Sequence, residues 1–192
     1  HGKDAPELID LLIDAGKANR AVRIAKDSYG EGSILYADTL LAAGMSDLTK
    51  QSSGSRFLKE ALKVYSNGAE GSESLGATLA NFQLGKIKMA QEKYKSSIPY
   101  FLEATKNPSI ASYAHAFLVE AYDRTSQQDK ATEHVLIMAR QPIRGKDYIP
   151  LFVKQPQYPF RARKYGREGY AVIALTVSKE GLALNPTVIE EK

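Results

Sequence analysis

The sequence predicts a mainly α protein, a superhelix of helical hairpins that ends in a small C-terminal β-hairpin. Three observations lead there. Small and apolar residues recur at a 34-residue spacing in the region before Pro142, the period of a helix-turn-helix unit. Polar stretches rich in turn formers separate the amphipathic runs. Beyond Gly169 the pattern changes to the alternation of β-branched and polar residues that marks strands.

Composition limits the classes of function. With 43% apolar and 25% charged residues the chain can bury a core. No stretch approaches the roughly 18 uninterrupted apolar residues of a membrane span. The chain begins HGKDAPEL, without a charged-then-apolar signal segment, so it reads as an excised or processed piece. It has no cysteine, which excludes disulfides, thiolate zinc sites and thiol nucleophiles. The net charge of +4 is unevenly placed. Residues 141–168 hold seven cations and two anions, leaving 19 cations and 20 anions for the rest. A uniformly basic nucleic-acid surface is therefore not expected.

The repeat is clearest from Leu79 to Pro108. Leu84, Ser97, Phe101 and Pro108 are followed 34 residues later by Leu118, Ala131, Val135 and Pro142. An earlier copy begins near the N-terminus with Leu8, Ile9, Leu12, Gly16, Ala21 and Ala25. The small residue opening each second helix recurs as Ala21, Ala61, Ser97 and Ala131, at spacings of 40, 36 and 34. The excess falls in SDLTKQSSGS, Ser46 to Ser55, read as a polar loop. Four helix pairs are predicted: 6–16 with 18–29, 33–44 with 55–67, 74–91 with 94–106, and 110–124 with 128–140. A small residue at each crossing lets one helix lie in the groove of another.

This pattern resembles the tetratricopeptide repeat (TPR). It departs from the family at Lys88, where an aromatic is preferred, at Asn81 and His115, where a large apolar residue is, and at Val119, where a small one is. The resemblance implies a solenoid whose concave groove, lined by the first helix of each pair, holds a peptide or a helix. Family position puts Leu79, Phe82, Lys86 and Met89, then Tyr113, Ala116, Glu120, Asp123 and Arg124, on that side. The alternative reading makes Phe82, Met89 and Tyr113 packing residues.

After the solenoid at 1–142 comes a basic linker at 143–154, then a distinct module at 155–192. It opens with Gln155, Pro156, Gln157, Tyr158 and Pro159; Phe160 to Lys164 reads as a short basic helix. Tyr170 to Val177 and Leu182 to Glu190 form two strands around a turn at Ser178 to Gly181. The QPQYP motif, Ala162, Gly169, the strand end Leu175-Thr176-Val177 and Gly181 together resemble the front part of the C-terminal domain of the TonB family. Those proteins are periplasmic transducers that pass inner-membrane proton-motive force to outer-membrane receptors. By that resemblance, residues 155–159 touch the receptor's periplasmic face. Two prolines hold the backbone extended and Tyr158 offers a flat amphipathic surface. Alternatively, Tyr158 packs on its own hairpin. The family's later helix and receptor-pairing third strand lie beyond Lys192, so this piece is expected to lack the main pairing edge. The hairpin is then expected to pack on the last helices, self-associate or be disordered.

No catalytic constellation is visible: there is no P-loop, GxGxxG, GxSxG or carboxylate dyad. His115 and His134 read as solvated or groove-lining residues rather than metal ligands. Aromatic residues among the cations of 141–168 could stack single-stranded nucleic acid, a reading set below the QPQYP resemblance. The expectation is a non-enzymatic periplasmic adaptor of TonB-dependent energy transduction, without cofactor or metal, acting by protein-protein binding. Its expected partners are proteins of the TonB system or outer-membrane receptors, a peptide in the groove, and another copy of itself. The alternative is a general TPR scaffold for envelope assembly, with the hairpin a structural cap.

Overall fold

The computed structural model describes residues 5–46, 51–68, 71–139, 165–166, 168–178 and 183–191. Eight α-helices in these residues form four antiparallel pairs: α1 (Ala5–Asp14) with α2 (Ala18–Tyr29), α3 (Ile34–Ser46) with α4 (Gln51–Ser66), α5 (Leu75–Ala90) with α6 (Tyr94–Ala104), and α7 (Pro108–Arg124) with α8 (Gln128–Ala139). Each helix packs on the next in the chain. In addition α1 touches α3, α3 touches α5 and α5 touches α7, while the even helices make no comparable contact with one another. The odd helices therefore line the inner side of a curved stack.

The turns within pairs show the repeat in backbone terms. Gly16, Glu92 and Ser126 all take left-handed φ values, of 69°, 57° and 58°. In each case the residue's own amide bonds back three positions and the following amide bonds back five: Lys17 to Leu12 at 2.7 Å, Lys93 to Lys88 at 2.9 Å, Gln127 to Tyr122 at 2.9 Å. This is the Schellman ending, which satisfies carbonyls that the helix end leaves free. Helices α3, α5 and α7 begin on polar caps: the Ser33, Ser74 and Asn107 side chains accept from the backbone amides of Tyr36, Ala77 and Ser109. Pro108, at the first position of α7, needs no amide partner there.

The four small residues that open the second helices, Ala21, Ala61, Ser97 and Ala131, are all buried. One core cluster joins α1 to α5 through Ile9, Leu12, Tyr36, Leu40, Phe57 and Leu58. Another joins the later helices around Phe101, Leu118, Tyr122 and Met138. In the second of these, Phe101 stacks on Phe117 at 5.0 Å, and Phe82 meets both rings edge-on. An added Cβ at Gly85 would lie 2.7 Å from the Phe101 ring, so α5 and α6 approach as closely as they do only because that side chain is missing.

The helix boundaries lie within about two residues of expectation except at the start of α4. The polar stretch up to Ser55 was expected as loop, but α4 begins at Gln51. Gly54 is buried where α3 and α4 cross: a Cβ on Gly44 would meet Leu58 at 2.6 Å and the Gly54 carbonyl at 3.1 Å. Gly44 thus lets the two helices approach closely there, with the Gly54 backbone against it, and packing overrides the turn preference of Ser-Ser-Gly-Ser. Across the same pair, the Tyr36 hydroxyl donates to Glu60 and the Tyr65 hydroxyl to Asp38, each at 2.6 Å. Burial, and then the carboxylate partner, push both phenols far above their ordinary pKa and keep them neutral donors.

Strands β1 (Ala171–Val177) and β2 (Ala183–Glu191) pair antiparallel as a two-stranded sheet. The ladder is irregular between Ala174 and Thr176, opposite Asn185-Pro186. Asn185 has φ 50°, and Pro186 cannot donate, so the pair makes a bulge rather than continuing the ladder. Every residue of both strands is exposed, and neither strand packs on a helix. Of the three outcomes expected of the hairpin, packing on the last helices is not seen among the described residues: its apolar side chains, Ile173, Leu175, Val188 and Ile189 among them, are exposed. The linker at 143–154, the short helix expected at 160–164 and most of the turn at 178–181 lie outside the described residues.

Candidate functional site

Alternation of the helices between two sides gives the inner side its residues. On α5, Phe82 and Met89 are half-buried and pack into the later core, and the Ser97 hydroxyl lies 3.3 Å from the Met89 sulfur. Leu79 packs between the two halves of the core. Among the predicted groove residues, Phe82 and Met89 thus have packing roles. Lys86, half-buried, stands over the Phe82 ring at 5.8 Å.

On α7, Tyr113 is 66% exposed and offers its ring to solvent. Ala116 packs partly against the core. Glu120 and Arg124 face each other one turn apart at 3.9 Å, and the Arg124 guanidinium lies 5.6 Å from the Tyr94 ring. Asp123 accepts a hydrogen bond from the Gln128 side chain at 3.2 Å. The last turn of α7 is therefore a polar cluster, with Tyr113 the exposed aromatic two to three turns earlier. Gln155, Pro156, Gln157, Tyr158 and Pro159 lie outside the described residues.

The histidines depart from expectation. His115 and His134 are buried, not solvated, and their Nδ1 atoms stand 2.9 Å apart across α7 and α8. Such a bond needs one ring to donate and the other to accept. Tyr122 stacks on His134 at 5.5 Å. Burial lowers the pKa of both rings, and the neighbouring His115 lowers that of His134 further, so both rings favour the neutral form. His115 occupies the position that Asn81 occupies 34 residues earlier, and both are buried polar residues where the repeat favours an apolar one. No group of three or more histidine, aspartate or glutamate side chains arranged for a metal occurs among the described residues.

A groove of about 250 Å³ lies between α1 and α3. Pro6, Ile9 and Ile13 line one wall and Leu35, Thr39 and Ala42 the other, with Asp10 and Asp38 among the lining. Reading the sequence did not find this groove, yet a signal was present. Counted back from the left-handed turn residue, Gly16 matches Glu92, so Pro6, Asp10 and Ile13 stand where Phe82, Lys86 and Met89 stand in the third pair. The same offset that placed residues on α5 and α7 would have placed them on α1.

No family model matches the chain, and no curated protein does. Among solved structures the chain is similar to BtubC (BKLC) from P. vanneervenii, with a TM-score of 0.55 and 15% sequence identity. The match covers 78% of this chain and 65% of that one, so this chain spans less than two thirds of that protein's length. At this identity the likeness is one of fold. Together with the helices and strands above, it establishes a mainly α protein with a small β-hairpin. Among the described residues no helix is long and apolar enough to cross a membrane.

Proposed function

We propose that this protein is a TPR-like protein-binding adaptor of the Gram-negative periplasm, associated with TonB-dependent energy transduction to outer-membrane transporters. The observation that supports it most is the inner side of the stack: odd helices run side by side there and leave an apolar groove and an exposed tyrosine. A surface of that kind suits the binding of a peptide or helix. The periplasmic and TonB part of the reading rests on the QPQYP motif and the strands that follow it. The uncovered apolar hairpin suits that part, because such a module seeks a partner strand or a covering surface.

A general scaffold with a capping hairpin is the second reading, and the exposure of both strands weighs against a cap. The two are separated by immobilising the chain and washing an envelope extract over it. Under the adaptor reading, TonB-system proteins are retained, and replacing Gln155, Tyr158 and Pro159 together with alanine reduces their capture at unchanged thermal stability. Unchanged capture with a lowered melting temperature would instead support the scaffold reading.

A further inference from the structure

We propose that the groove between α1 and α3 docks a short partner peptide in which a large apolar side chain lies next to a lysine or arginine. This rests on the reading of the helical stack as a binding platform and adds the chemistry of what it takes. Two features carry it. The first is shape: Ile9, Ile13 and Leu35 make an apolar cleft of about 250 Å³. A cavity of about 150 Å³ already holds a benzene-sized group, so one large apolar side chain fits with room beside it.

The second is charge. Helices α1 and α3 carry Glu7, Asp10, Asp14 and Asp38 and not one lysine, arginine or histidine. Among the described residues none of these four carboxylates takes part in a salt bridge. Two of them, Asp10 and Asp38, are exposed and belong to the groove itself. Asp38 already accepts the Tyr65 hydroxyl, which fixes the carboxylate in place without neutralising it. A cation entering beside the apolar side chain therefore finds two negative charges, that of Asp38 held in place, and phosphate-bearing ligands are repelled. The equivalent charged position on α5 is Lys86, so the preference for a cation belongs to the first two pairs.

The test uses the full chain, labelled on isoleucine and leucine methyls, titrated with the blocked peptide Lys-Leu-Leu-Arg-Leu-Lys. Saturable shifts of the Ile9, Ile13 and Leu35 methyls are expected, weakened about tenfold by Asp10→Lys and reduced by added salt. Two control peptides replace the leucines with serine or the cations with glutamate, and both should bind at least about tenfold more weakly. Equal binding of either control overturns the proposal. So do peptide-induced shifts confined to α5 and α7, which would leave the platform reading standing with its site elsewhere. Shifts of the same methyls on diluting the protein alone would make a second copy the occupant and also overturn it. Absence of any peptide-induced shift overturns it too; if envelope capture persists in that case, the adaptor reading survives without this groove.

Discussion

Glu92 and Ser126 hold a left-handed backbone that glycine holds at position 16. Side chains with a Cβ are strained there, by about 1 kcal/mol, and glycine is not. Ser126→Gly should therefore raise stability by about 0.5–1 kcal/mol, seen as a higher urea midpoint with unchanged slope; a lower midpoint would mean that the serine side chain contributes more than the backbone loses. The histidine pair makes a second prediction at this scale. Both rings have pKa values depressed below the ordinary 6.5, chiefly by burial. In the unfolded chain they take up protons near 6.5, so below that pH the unfolded state binds more protons and folding weakens. The stabilisation is present above 6.5 and is lost as pH falls toward the folded values. Glu133 opposes the shift at His134, and Tyr122 stacks on that ring with Lys130 above it. The other helices packed on α7, α5 and α6, bring Lys86 and Lys88, and Lys95, Tyr94, Tyr100 and Glu103. Denaturation midpoints at pH 5 and 7.5 should differ for the natural chain and converge when both histidines are leucine.

Elements were legible where one face is apolar and the ends carry caps. Ser74 marks the start of α5, and the small residues at 21, 61, 97 and 131 announce the crossings, whereas α7, expected from 110, begins at Pro108 behind its Asn107 cap. The start of α4 was not legible, because Gly54 follows two serines, a turn-like run, while its burial against Gly44 of the preceding helix α3 is a packing contact that no local pattern announces. The concave residues were only partly legible. Position on a face decides which side of the stack Phe82 and Met89 point toward, but the neighbouring aromatic rings of α6 and α7 decide that they are covered. Likewise nothing local marks His115 and His134 as partners; the bond exists because the last pair brings equivalent faces together. The closeness of α5 and α6 is open to test. Gly85→Ala should cost about 1–3 kcal/mol through overpacking on the Phe101 ring. A thermal midpoint equal to that of the natural chain would mean that the ring moves aside freely.

For the whole molecule, the described residues divide into a stack whose helices bury one another and a hairpin whose strand residues are all exposed. An isolated two-stranded sheet is marginal in water, so the hairpin's stability has to come from whatever covers it. That is the physical content of calling it a partner-seeking module, and it is the claim on which the TonB part of the adaptor reading depends. Hydrogen exchange on the free, monomeric chain measures it directly. The amides of Leu75–Ala90 and Pro108–Arg124 should exchange slowly, at a common rate set by unfolding of the stack, while those of Ala171–Val177 and Ala183–Glu191 exchange near the rate of an open chain. Strand amides as slow as the helical ones would contradict the account, because they would show a hairpin already held in place by its own molecule.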